Sequence, residues 1–422
     1  MKVRKSWVTG YAVLAVFSLA RMSVAADVQS VLTDTRARGA NAEKRLDATC
    51  PGTAMPVPGV ISAATGTKKT PEALEPLFIR PLTKIAAGRN DSIPQWSPQG
   101  TLIAFERSMG DKKEIHIALA DGTEVQTVYF QASDGGDTKF FFPGVYEDVS
   151  YNSGITWSPA EDRFVFMSNG GEGNYDLYLQ EVGGVSTVRL TDHKEKDGQA
   201  HWSPVSDAIV FVSGRTGNGD LYLLDLRTKA LTRLTWGGKA YLFPRWSPDG
   251  KKIVMMHGSN ENHDIVLITD AARPTESLKT LTTWTADDLR PVWSPDGRKI
   301  AFYSNYNSAG DPKMWSIFVV EANGSDPTEG DGLAAKAVAT DVIPDIDSGP
   351  AWMPDSARIL YVKNERQEYN PLYVADIARK TSLLIKTDTK MNHDVTCSAD
   401  GTIAFRALVN QWDQIYIMRL KQ

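Results

Sequence analysis

One pentapeptide and its variants recur along most of the chain. Trp96-Ser97-Pro98-Gln99-Gly100 is followed by Trp157-Ser158-Pro159-Ala160, Trp202-Ser203-Pro204-Val205, Trp246-Ser247-Pro248-Asp249-Gly250 and Trp293-Ser294-Pro295-Asp296-Gly297. Trp352-Met353-Pro354-Asp355 and Cys397-Ser398-Ala399-Asp400-Gly401 are weaker copies. Successive copies lie 61, 45, 44, 47, 59 and 45 residues apart, a period of about 45 with two insertions. Such a period marks an array of one stacked supersecondary unit.

Each copy has the same sequel. The Pro-Asp-Gly corner is a tight turn, since Pro presets φ and Gly accepts positive φ. An apolar run rich in β-formers follows, as in Leu102-Ile103-Ala104-Phe105 and Ile209-Val210-Phe211. After a Gly/Asn-rich loop a third strand opens, often on Asp (Asp176, Asp220, Asp264, Asp413). The short polar side chain suits a structural role there, accepting backbone N–H groups. A polar fourth strand such as Thr232-Arg233-Leu234-Thr235 closes the unit. Four short antiparallel strands per period describe a β-propeller blade. A blade of this size cannot bury a core alone and is stable only against neighbours. The Trp, large and with one N–H, suits the space between blades, where a carbonyl can accept from it. The seven copies predict an all-β, seven-bladed propeller, with six blades as the alternative. The last copy lacks a fourth strand, and Ile79-Arg80-Pro81-Leu82-Thr83-Lys84 resembles the missing piece. It is therefore expected to complete the last blade and close the ring, removing an unpaired edge.

Met1 to Lys5 is basic, Val8 to Ala20 is uncharged and apolar, and small residues end the segment at Ala25-Ala26. That is the layout of a secretory signal peptide over residues 1–26. A membrane span needs roughly 20 apolar residues, more than this run supplies. Residues 27–76 are read as an N-terminal segment and linker, and 77–422 as the propeller. Export, to the periplasm or outside, makes a disulfide permissible. The chain has two cysteines, Cys50 and Cys397. Ring closure would bring them toward each other, so a Cys50–Cys397 bond is one expectation. A small buried Cys397 standing in for Trp is the other.

The Trp-Ser-Pro-Asp-Gly repeat resembles that of the TolB-type exported propellers, and also that of propeller domains in prolyl oligopeptidase-type enzymes. TolB is similar to a six-bladed propeller preceded by a separate α/β domain. Here there are seven units and 50 residues between the cleavage site and the propeller, so the resemblance is to the repeat and not to all of TolB. It implies a non-enzymatic periplasmic scaffold that binds an envelope protein or peptide, as a monomer and without a cofactor. With 46 basic against 51 acidic residues and a formal charge of −5, a nucleic-acid partner is not expected. No Gly-x-Ser-x-Gly nucleophile elbow is present, which leaves the peptidase reading weak.

Candidate binding residues lie before the first strands, where a propeller gathers its loops at one mouth. Asp91, Asp148, Asp197, Asp287, Asp288, Asp345, Asp347 and Asp394 recur there, and a ring of carboxylates would suit a cation or basic peptide. The insertion carrying Phe140, Phe141, Phe142 and Tyr146 opens on the same face and offers aromatic anchors. The competing class is a metal-dependent polysaccharide lyase of the oligogalacturonide type. It would hold a divalent cation at the channel mouth through His193, His201 and His393. A third, lectin-like reading needs exposed loop tryptophans, for which Trp236 and Trp284 are candidates.

Overall fold

In this computed structural model the described residues are 73–110, 112–128, 152–170, 174–259, 262–306, 314–323, 337–365 and 369–421. Among them every regular element is a β-strand. Residues Ala73–Gln422 form one compact unit, and the strands build five four-stranded sheets and one of nine strands. The domain is all-β and of propeller type. Each sheet is named below by the residue at its repeat's tryptophan position.

The Trp202 sheet shows the pattern. Asp197–Trp202, Ala208–Ser213, Asp220–Asp225 and Leu231–Arg233 pair antiparallel in chain order. The second strand of each unit is the most buried: Ile103, Val165, Val210, Val254, Ala301, Leu360 and Ala404 are all inaccessible to solvent. Their β-branched and aromatic neighbours pack on the adjacent sheets, which is why no unit has a core of its own. The Trp293 and Trp352 units merge into the nine-stranded sheet, because Ala339–Ile343 pairs both with Trp315–Glu321 and with Arg358–Lys363.

The Ser of the repeat has a use that the turn reading missed. In five units its Oγ accepts the N–H of a residue at or just before the start of the return strand, as Ser97 does from Leu102 (3.0 Å) and Ser294 from Lys299 (2.9 Å). The tryptophans divide. Trp293 and Trp352 donate to Arg245 O (3.0 Å) and Val292 O (3.2 Å) of the preceding unit, as expected. Trp202 bonds Ser206 O in its own turn (3.2 Å), and the indole nitrogens of Trp96, Trp157 and Trp246 are buried without a partner. Burial of the ring, more than the N–H, accounts for the residue type.

Two of the third-strand aspartates, Asp176 and Asp220, hold side chains of the fourth strand rather than backbone amides. Asp176 receives Arg189 (2.6 Å) and the Thr191 hydroxyl (3.1 Å), and Asp220 receives Arg233 (2.8 Å) and Thr235 (3.1 Å). The Arg-Leu-Thr of a fourth strand is thus a clamp on the strand before it.

Pro76–Pro81 pairs antiparallel with Trp412–Leu420, with Ile79 opposite Met418. Leu82 N donates to Ile415 O (2.8 Å), and Ile415 N donates to the Thr83 hydroxyl (3.1 Å). Just upstream, Ala73–Leu74 pairs in parallel with the edge strand Thr381–Ile385. Cys397 is a half-buried free thiol, whose pKa burial pushes up to about 12. Cys50 lies outside the described residues.

Candidate binding site: the inner strands and the charges they carry

In every unit the residue three before the tryptophan position has a positive φ, inside the first strand in six units and just before Ala351–Trp352 in the Trp352 unit. Ile93, Gln199, Phe243, Arg290 and Asp394 have φ between 50° and 54°, and Gly154 and Gly349 have 66° and 85°. Six of the seven first strands shift register across this residue. These are β-bulges, which re-aim side chains and free an amide. A left-handed non-glycine residue, above all a β-branched one such as Ile93, costs about 1–3 kcal/mol, so the surroundings must hold it there.

They do so from the neighbouring unit. Ile93 N donates to Asp394 Oδ2 (3.2 Å), Gly154 N to Glu106 Oε1 (3.4 Å) and Phe243 N to Gln199 Oε1 (2.8 Å). One residue before the tryptophan position the link repeats: Trp202 N donates to Thr156 Oγ1 (2.9 Å) and Trp246 N to His201 Nδ1 (3.3 Å). Asn392 Nδ2 donates to Asn370 O (3.0 Å) between the last two units.

Two residues further upstream sits a second recurring position, occupied by Asp91, Asp197, Asp288 and Asp347. Asp91 is buried against Arg107 (2.7 Å) and Asp197 against Arg215 (2.9 Å). Asp347 has Arg290 at 4.0 Å. Asp288 is fully buried and accepts the Trp284 indole N–H, and its burial pushes its carboxyl up to about 7. Asp287 accepts from His263 Nδ1 (2.6 Å). The expected open rim of carboxylates is therefore corrected for Asp197 and Asp288, which are buried and hold strands together.

What converges on the inner side is a mixed set of charges. Asp394 pairs with Arg406 (2.7 Å) and Glu106 with Lys113 (3.0 Å). Arg245 donates to Ser348 O (3.3 Å) across 103 residues of sequence. Burial raises the Asp345 carboxyl to about 7, with Asp394 and Asp347 adding to it. Burial also raises Asp347, opposed by Arg290, and Glu106, opposed by Lys113. On the basic side burial lowers Arg245, opposed by Asp345. Sequence reading named Asp347 and Asp394 but missed Glu106, Lys113, Arg245, Arg290 and Arg406. Their spacing relative to the tryptophan position was the available signal.

The three candidate metal histidines stay apart. His193 lies in a loop, with Glu195 N donating to its Nδ1 (3.1 Å). His201 faces Trp246 N, and burial followed by Arg245 pushes it down to about 3. His393 contacts Asn370 (3.3 Å). Among the described residues no group of three or more His, Cys, Asp or Glu is placed to hold a metal. Trp284 is buried and stacks on Tyr306 at 4.2 Å, which corrects its proposed exposure, whereas Trp236 is exposed under Arg233. Phe140, Phe141, Phe142, Tyr146 and Asp148 lie outside the described residues.

Sheets of four strands, each packed against the next, define a propeller-type domain, a fold that does not by itself set function. Residues 145–329 match the family model of the TolB beta propeller domain, and the chain is TolB-like in this sense. A comparison with curated proteins finds no match. Among solved structures, TolB from Acinetobacter baumannii is 19% identical with a TM-score of 0.46. That match covers 70% of this chain and 63% of TolB. An oligogalacturonate lyase in complex with manganese is 13% identical, covers 84% of this chain and 96% of its own, and has a TM-score of 0.59. A puromycin-hydrolyzing peptidase of Mycobacterium tuberculosis is 13% identical, covers 78% and 50%, and has a TM-score of 0.58. At these identities the lyase and peptidase establish shared fold alone.

Proposed function

We propose that the chain is an exported, non-catalytic binding scaffold built on a closed seven-bladed propeller. It takes an envelope protein or peptide at the end where the inner charges lie. The reading of seven blades is supported by the pairing of Pro76–Pro81 with Trp412–Leu420 and by the bonds linking successive units. Export is supported by the basic-then-apolar start of the sequence. The observation that carries the binding reading is the convergence of Glu106, Arg245, Arg290, Asp347 and Asp394 from different sheets onto the inner side. Charges of both signs held on rigid strands give orientation and specificity to a polar partner. A metal-dependent lyase would need His193, His201 and His393 around one point, and the structure does not group them.

The test is affinity capture from envelope extracts with wild type, a variant lacking residues 133–147, and Asp347→Lys, followed by calorimetric titration of the recovered partner. The scaffold reading expects a saturable partner weakened about tenfold or more by either change, on the order of 1.4 kcal/mol. Equal affinity for all three proteins would overturn it.

A further inference from the structure

A small cleft opens between the Trp352 and Cys397 units. Its polar lining is Tyr303, Asp345, His393 and Asp394, and its apolar walls are Ile343, Pro344, Val362 and Val395. It has room for about one water-sized group. Asp345 Oδ1 is engaged by the N–H groups of Asp347 (3.0 Å) and Ser348 (2.9 Å), which fix the carboxyl in place. Its other oxygen, Oδ2, is buried without a hydrogen-bond partner, although the residue is more than nine-tenths buried. Such an orphan is costly and calls for an occupant. Asp394 is committed to Arg406 and Ile93 N, His393 to Asn370 and the Tyr303 hydroxyl to the Asp345 backbone, which leaves Asp345 Oδ2 as the carboxylate oxygen of the cleft without a partner.

We propose that this cleft binds a primary ammonium group, namely the end of a lysine side chain presented by a peptide or protein partner. An ammonium has the size of a water, donates three hydrogen bonds and brings a positive charge directly onto the oxygen that has no hydrogen-bond partner. A guanidinium is planar and too large for the space. The inference rests on the scaffold reading for the source of the lysine, but its chemistry belongs to the cleft alone.

Occupancy is coupled to protonation. Arg245, Tyr303, Asp347, His393 and Asp394 face Asp345, with Arg406 and Arg290 behind the two aspartates. With the Asp345 carboxyl near pH 7, an incoming ammonium must displace its proton. Affinity should therefore rise about tenfold between pH 6 and pH 8 as the carboxyl ionises.

The test uses the full chain and Nα-acetyl-lysine methylamide as probe, titrated by NMR at pH 6 and pH 8. The same probe acetylated on Nε, and n-butylamine, are the comparison ligands. Expected are saturable shifts at the cleft residues, a tenfold gain from pH 6 to pH 8, loss with the acetylated probe, and at least tenfold weakening in Asp345→Asn. The pH series on wild type stands even if the variant fails to fold. Equal binding of the acetylated probe, affinity flat in pH, or no saturation at tens of millimolar would overturn the proposal. Tighter binding of n-butylamine than of the lysine probe would overturn the assignment to a peptide. A probe that binds while partner capture fails leaves the cleft intact and removes the scaffold reading. Partner capture without probe binding does the reverse.

Discussion

The Trp202 and Cys397 sheets are built from the same hydrogen bonds but not from the same stretch of chain. In the first, Leu234 N donates to Leu221 O (2.8 Å), and Leu221 N donates to the Thr235 hydroxyl (2.9 Å), 14 residues away. In the second, Leu82 and Thr83 make the matching bonds to Ile415, with the hydroxyl contact spanning 332 residues. The ion pair of Arg233 with Asp220 (2.8 Å) has no counterpart there, because Pro81 and Gln414 occupy the two places. Gln414 Nε2 bonds Thr83 O instead. Pro is tolerable on this outer strand, where an N–H toward solvent is not needed. The local chemistry is alike, and the entropy is not. Bringing the ends together over the longer loop costs about 3 kcal/mol more by simple chain statistics. The Cys397 sheet should therefore be the place where the domain opens first.

Removing residues 73–83 should break this comparison most severely. It strips the outer strand from the Cys397 sheet and the parallel strand from Thr381–Ile385. Thermal unfolding should lose its single cooperative transition, whereas a matching cut at Leu231–Arg233 should lower the midpoint but keep one transition.

The next effect concerns the bulge position. Ile93 and Phe243 tolerate a left-handed backbone, but Gly349 has a second constraint: an added Cβ would lie 2.7 Å from Arg290 O. Gly349→Ala should destabilise by about 3 kcal/mol or more, read as a fall in the urea midpoint. Ile93→Gly should relieve strain and change stability by less than about 1 kcal/mol.

A smaller effect separates two buried aspartates at the same repeat position. Asp197 has Arg215 and Asp288 has no cation partner among the described ion pairs. The folded protein holds a proton on Asp288 up to about pH 7, whereas an unfolded aspartate releases it near pH 4. The folded state thus binds more protons over this window, and stability falls as pH rises through it. Asp288→Asn should flatten that decline by about 2 kcal/mol between pH 5 and pH 8, measured by urea titration at both values. Asp197→Asn should instead destabilise at both.

The smallest effect tests equivalence directly. Thr83→Val removes one hydroxyl that accepts a backbone N–H and should cost about 1 kcal/mol, and Thr235→Val, whose hydroxyl also donates to Asp220, should cost more. No loss at Thr83 would mean that its strand does not do the same work as an internal one.

Much of this was legible beforehand. Trp-Ser-Pro-Asp-Gly fixes a turn, the following apolar run fixes the buried strand, and Arg-Leu-Thr marks the outer strand, so the pairing of Leu82-Thr83 with Ile415 could be anticipated. The site was harder. Loop position suggested that Asp197 and Asp288 face solvent, but a bulge turns whole segments of the inner strand, and sequence does not display φ. The converging cations failed to show for a related reason. Arg245, Arg290 and Arg406 stand in different strands of different repeats, and only the curvature of the assembly brings them near Asp345, Asp347 and Asp394. Asp345 itself carries no motif: what singles it out is one orphaned oxygen.

Hydrogen exchange at single amides tests the central claim, that the two chain ends lock the domain as an internal blade is locked. Leu82 and Ile415 should be protected to within about 150-fold of Leu234 and Leu221, the about 3 kcal/mol that the longer closure costs. Exchange of Leu82 and Ile415 at the rate of an unstructured peptide, beside a protected Leu221, would contradict it.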